Sequence, residues 1–167
     1  EAFALGERVL LLRDGMVAAD GTPEAVLNAP SHESVARLAG FENLLDAVVV
    51  ERRPNGGVMV VRLAGAAVDL ETPLMSFAPG DRIRVAIRAG DILVATEHPR
   101  GLSARNVVRG TIGSLTRQGG VVRLEVGIGV PVDVHVTPTA SATLDLRVGR
   151  EVWLVIKTHS CHPVAAV

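Results

Sequence analysis

The sequence predicts a mainly β protein: two tandem Greek-key barrels behind a short α/β segment. Three observations carry this. From Phe41 onward the chain is a series of short, β-branched runs bounded by glycine or proline. Those runs repeat internally in a unit of about 60 residues. Residues 1–40 instead hold one strand–turn–strand pattern followed by two helix signals.

In chain order, Arg8-Val9-Leu10-Leu11-Leu12 reads as a buried strand, Asp14-Gly15 as a tight turn and Met16-Val17-Ala18-Ala19 as the return. Thr22-Pro23-Glu24 supplies the N-cap, first-turn proline and acid of a helix to about Leu27. Ser31 can cap a second helix, with Val35, Leu38 and Ala39 facing inward and Gly40 as its stop. Strands follow at 47–51, 58–63, 83–88, 121–126 and 152–156.

The repeat is read from matching offsets. Asn43 matches Asn106, and Gly56-Gly57-Val58 matches Gly119-Gly120-Val121, both at an offset of 63. After a six-residue difference, Pro79-Gly80 matches Val148-Gly149, and Ile83 to Arg88 matches Val152 to Lys157, both at 69. A unit of this size with about five strands suits a small Greek-key barrel. The expected division is therefore 1–40, 41–99 and 100–167.

Composition narrows the function. With 167 residues, 48% hydrophobic and 21% charged, the chain is globular rather than disordered. A net charge of −1 shows no basic excess, and the aromatics are only Phe3, Phe41, Phe77 and Trp153, so no nucleic-acid partner is expected. Cys161 is the only cysteine, which excludes an internal disulfide and fits a reducing cytoplasm. The start at Glu1, mid-pattern, reads as a piece of a longer protein. The only lysine has no glycine before it, so no phosphate loop can form and no ATPase activity is expected of this stretch.

That lysine is Lys157; the other 16 basic residues counted with it are arginine. It lies 51 residues after Asn106 of the segment Ser103-Ala104-Arg105-Asn106, with hydroxyls nearby at Thr158 and Ser160. An ammonium, a guanidinium and hydroxyls together suit a small tetrahedral oxyanion. The plainer reading is that Lys157 is a solvated strand end.

Other clusters point to less. In His159-Ser160-Cys161-His162 the first and third residues would share a strand face, with His135 as an inner partner, but a four-ligand site needs more, and no metal is expected. Adjacent strand residues point to opposite faces, so Cys161 and His162 make no nucleophile–base pair, and no catalytic residue is expected. Arg52-Arg53 reads as a solvated turn. Arg82, Arg84 and Arg88 read as the polar face of a strand whose other face is Ile83, Val85 and Ile87.

Residues 103–162 resemble the molybdate-binding barrel of the molbindin family, through Ser103-Ala104-Arg105-Asn106, Val136-Thr137, Leu144, Leu146, Val148-Gly149 and Val155-Ile156-Lys157. Residues 1–40 resemble the end of an ABC transporter nucleotide-binding domain, through Glu1-Ala2-Phe3-Ala4-Leu5, the run to Leu12, Asp14-Gly15 and Gly21-Thr22-Pro23-Glu24. Together they resemble the C-terminal part of the ATP-binding subunit of a molybdate ABC transporter.

The resemblance implies OB-like, TOBE-type barrels and a regulatory role, with molybdate or tungstate as ligand. It implies oxyanion contacts from Ser103, Arg105, Thr137 and Lys157 and from backbone N–H groups near Asn106. It also implies a homodimer. The parent would bind ATP and Mg elsewhere, join a transmembrane permease and sit at the cytoplasmic face of the membrane. A stand-alone molybdate storage protein, or a ligand-free accessory domain of another importer, are the rival readings. One position departs from the family: the serine three after the threonine is Ala140, with Ser141 beside it. In the first repeat Ser103, Arg105, Lys157 and Ser160 become Gly40, Glu42, Arg88 and Asp91. Two carboxylates there repel a dianion, so the first barrel is expected to be a structural partner.

Overall fold

Alternation of apolar and polar residues sets most of this chain into strands that bury one face. The structure is a computed structural model describing residues 6–13, 15–23, 26, 36 and 39–166. Strands β1 (Val9–Arg13) and β2 (Met16–Gly21) form an antiparallel two-stranded ribbon, as the hairpin pattern predicts. Its outward residues Leu10, Leu12, Met16 and Val17 are exposed. The strand expected to be buried is thus open on that face, because a two-stranded ribbon has no second layer of its own. The two helices expected between Thr22 and Gly40 lie largely outside the described residues. Among the described residues no helix is long and apolar enough to cross a membrane.

The first repeat contains β3 (Asn43–Arg53), β4 (Val58–Leu63), β5 (Asp69–Pro73), β6 (Arg82–Ile87) and the short β7 (Leu93–Ala95). The second contains β8 (Asn106–Gln118), β9 (Val121–Gly127), β10 (Pro131–Val136), helix α1 (Pro138–Thr143), β11 (Glu151–Ile156) and β12 (His162–Ala165). Two five-stranded sheets result, ordered β12-β6-β3-β4-β5 and β10-β9-β8-β11-β7. Both are antiparallel and curl like OB-type barrels. Each repeat gives its last strand to the other's sheet: β7 pairs with β11, and β12 with β6. The division at 99 and 100 therefore separates the repeats in sequence but not the sheets.

The offsets hold in the hydrogen bonds. The long strands β3 and β8 carry bulges at equivalent places, after Val49 and after Ile112. Gly80 donates its N–H to Val49 O at 2.8 Å, and Gly149 donates to Ile112 O at 2.8 Å. Both glycines have positive φ, +94° and +84°, which only glycine adopts freely. The six-residue difference between the repeats equals the length of α1, which the first repeat lacks.

Val49, Met59, Val61, Ile83, Val85 and Ile87 from one repeat join Leu124, Val126, Leu154 and Ile156 from the other in one continuous core. Each such fully buried side chain contributes about 1.5–3 kcal/mol over exposure. Two buried amides fasten the repeats across this core. Asn43 donates to Asp133 O at 2.8 Å and accepts from Asp133 N at 2.7 Å. Asn106 does the same to Glu71, at 2.9 and 2.7 Å.

Candidate oxyanion site

Lys157 follows the last residue of β11, and the chain then tightens into a 3-10 turn, Thr158–Ser160. Ser160 N–H to Lys157 O at 3.0 Å and Cys161 N–H to Thr158 O at 3.1 Å close that turn. Asn106 opens β8 directly opposite Ile156, so the segment ending at Arg105 enters beside Lys157. The result is a groove of about 330 Å³ that takes in Ser103, Lys157 and Ser160, with Leu93 and Leu102 as apolar wall. Among the described residues, neither the Lys157 ammonium nor the Ser103 hydroxyl has a partner. An unpaired ammonium beside free hydroxyls, in a shallow groove with apolar sides, can hold a small oxyanion by charge and hydrogen bonds.

The other expected residues stand elsewhere. Arg105 is exposed and lies outside the groove lining. Thr137 is the N-cap of α1, its Oγ1 accepting from Ala140 N–H at 3.1 Å. Val136 pairs with Val122, which faces Arg117 on β8, whereas Lys157 follows the partner of Asn106. Eleven residues of β8 separate those two levels, so Thr137 and Lys157 lie toward opposite ends of the same strand. The Asn106 side chain is fully engaged, with Glu71 and with Cys161 Sγ at 3.4 Å.

The hydroxyls flanking Lys157 part company. Ser160 lines the groove, but Thr158 donates its hydroxyl proton to Glu71 Oε1 at 2.9 Å. The turn also separates His159 from Cys161, which were expected to share a strand face: a 3-10 turn leaves His159 exposed while Cys161 is wholly buried. Burial pushes the Cys161 thiol up to about 12, against a smaller opposing pull from Asn106, so it is no ready nucleophile. His162 stacks edge-on against Phe41, with centroids 5.0 Å apart. Burial, then the Arg88 charge, hold its imidazole below the usual range.

Asp91 lines the same groove. It enters because β7 is exchanged onto β11, which brings the turn before β7 beside Lys157. Sequence reasoning named Asp91 as an unfavourable residue for the first repeat's site; the structure sets it at the second's.

The family profile of the TOBE domain matches residues 102–163. Over 161 residues, 95% of this chain, the sequence is 36% identical to the molybdenum import ATP-binding protein ModC of Rhizobium meliloti. It is 30% identical over 159 residues to the molybdate/tungstate import ATP-binding protein WtpC of Pyrococcus abyssi. The chain spans less than half the length of these relatives, 44% and 42%. The fold is that of the cytoplasmic molybdate-binding protein ModG, solved with molybdate bound, at a TM-score of 0.67 and 22% identity, covering 75% of this chain and 96% of that one.

The segment that matches the TOBE profile supplies Ser103, Lys157 and Ser160, while Asp91 and Leu93 reach the groove from the preceding repeat. Its last matched residue, Pro163, already lies in the strand given to the other sheet. The TOBE boundaries thus follow the sequence repeat rather than the sheet.

Proposed function

We propose that this chain is the regulatory, oxyanion-binding C-terminal part of the ATP-binding subunit of a molybdate or tungstate importer. One observation carries the reading: Ser103, Lys157 and Ser160 line one groove, with the ammonium and the Ser103 hydroxyl unpaired among the described residues. The ammonium offsets charge on the tetrahedral dianion, the hydroxyls donate to its oxygens, and the fit of the completed ligand shell selects against the smaller sulfate. Arg105, exposed on the segment that enters beside Lys157, adds a guanidinium to the shell on this reading. Similarity to importer ATP-binding proteins over nearly the whole chain favours this over a storage protein.

Thr137 belongs to the shell only if a second copy brings it there, because within one chain it lies toward the far end of β8. The reading therefore includes a homodimer with the ion at a barrel contact. An ion that binds only the paired form stabilises that form. In the parent, which would hold ATP and Mg and meet the membrane permease from the cytoplasm, this favours one arrangement of the paired subunits when molybdate is plentiful.

Calorimetry on the chain with molybdate, tungstate and sulfate tests the reading. Lys157→Ala and Arg105→Ala are each expected to weaken molybdate binding by about 2–4 kcal/mol. Arg52→Ala, at a guanidinium that among the described residues reaches only Met75 O, is expected to be near neutral. Sulfate binding as tight as molybdate removes the size argument, and no binding of any of the three removes the site. Sedimentation with and without molybdate tests the pairing; a strict monomer that binds one ion tightly defeats it.

A further inference from the structure

Behind the groove, one residue of the first repeat touches both segments that carry the proposed ligands. Glu71 sits on β5, a strand the sequence reading did not name. Its backbone N–H and O are both bound by the side chain of Asn106, the residue that follows Ser103-Ala104-Arg105. Its carboxylate accepts the hydroxyl of Thr158, the residue that follows Lys157. The Asn106 amide also reaches Cys161 Sγ, one residue past the Thr158–Ser160 turn. Glu71 is thus the common anchor of two segments that are 55 residues apart in sequence, measured from Asn106 to Cys161.

The first repeat supplies an internal control. There Asn43 grips the backbone of Asp133 in the same reciprocal way, so the amide clamp belongs to the fold. The side-chain bond has no counterpart. The position of Thr158 is taken by Ala89, which has no hydroxyl, and the Asp133 carboxylate turns to Arg123 at 3.6 Å. The hydroxyl–carboxylate bond occurs only in the repeat that keeps the serine and lysine. Fold alone does not require it, since the other half of the molecule forms the same clamp without it.

We infer that Glu71 is a positioning residue for the oxyanion site. Through Thr158 it fixes the turn after β11, and so the direction in which Lys157 leaves the strand. A long, unpaired lysine has many rotamers to lose on binding, and a fixed stem lowers that cost. The inference rests on the oxyanion reading above and gives the first barrel a share in a site whose own counterpart it lacks.

The test uses the full chain with four single variants, Glu71→Ala, Glu71→Gln, Thr158→Val and Thr158→Ser, and one double variant. The backbone clamp from Asn106 needs no Glu71 side chain, so the urea midpoint is expected to shift little. Glu71→Ala and Thr158→Val should each weaken molybdate binding roughly five- to tenfold, the cost of ordering a lysine whose stem is no longer fixed. The double variant Glu71→Ala/Thr158→Val should be no weaker than either single one. Glu71→Gln and Thr158→Ser keep an acceptor and a hydroxyl and should bind within about twofold of the parent. In the ligand-free chain, amide exchange at Ser160 and Cys161 should quicken in Glu71→Ala and Thr158→Val and not in the conservative pair. If the unaltered chain binds molybdate and Glu71→Ala binds as tightly or more tightly, the positioning role is overturned and the oxyanion site stands. Weakening by Glu71→Gln as great as by Glu71→Ala, or additive effects in the double variant, overturns it too. If the unaltered chain binds no molybdate, the oxyanion reading itself falls and takes the inference with it.

Discussion

In the first repeat Glu42 stands where the second has Arg105, and its carboxylate accepts the N–H of Ala89 at 2.8 Å. Arg88, at the place of Lys157, lies 4.4 Å over the ring of Phe41. Gly40, at the place of Ser103, has a φ of +82° and no side chain to offer. The first repeat therefore satisfies its own charges: its acid caps its own turn and its cation lies on its own ring. The second, among the described residues, leaves an ammonium and a hydroxyl unengaged at the equivalent level of its own barrel. The backbone is common to both, so on the proposed reading the side chains at these three positions, and not the barrel, set the two repeats apart.

The comparison can be broken most forcefully at the two amide clamps. Asn43→Ala and Asn106→Ala each strip partners from two backbone groups of the other repeat, and each should cost about 2–4 kcal/mol in urea denaturation. Their effects on ligand should differ. Asn43→Ala should leave molybdate affinity within about twofold, whereas Asn106→Ala should weaken it severalfold by loosening the entry to β8. Equal losses of affinity would mean that the repeats contribute alike.

A gain of affinity sharpens the contrast. Asp91 carries a negative charge into the groove that holds Lys157. Asp91→Asn should tighten molybdate binding by a few fold, in keeping with the roughly 1 kcal/mol that two unit charges exchange across solvated contact distance. The gain should shrink as salt is raised. Unchanged affinity in calorimetry would show that Asp91 faces away from the ion.

The smallest expected effect is on pH. His162, lent to the first sheet, holds its proton less tightly when folded than an ordinary imidazole does. The unfolded chain then binds more protons just below pH about 6.5, so stability is full above that value and falls as the pH drops through it. Denaturation midpoints between pH 5 and 8 should show this slope. His162→Gln should flatten it; an unchanged slope would assign it to another group.

Much of this was legible in the residues. The β-branched runs located β4, β6, β9 and β11 within a residue or two, because each buries alternate side chains in one core. The offsets of 63 and 69 matched the equivalent glycine turns, and their difference equals the length of α1. Other features had no local signal. The strands β7 and β12 are three and four residues long, too short for a period to register, and each pairs outside its own repeat. The match of Asn43 to Asn106 was visible, but a clamp is defined by its partner, and Asp133 and Glu71 lie in the other half. Two hydroxyls near Lys157 look equivalent in one dimension; the 3-10 turn sends one to the groove and one to Glu71.

The exchange of β7 and β12 bears on how such a molecule could have arisen. A single unit of this kind ends in a strand that its own sheet does not use, and its sheet lacks the strand that only another copy can lend. Two free copies would embrace by trading these ends, each finishing the other. Joined head to tail, the pair becomes one chain of the present kind, with every trade now made internally. Fusion also lifts the demand that both partners be identical. One half was then free to put an acid and a glycine where the other kept an arginine and a serine, without either sheet losing its borrowed edge.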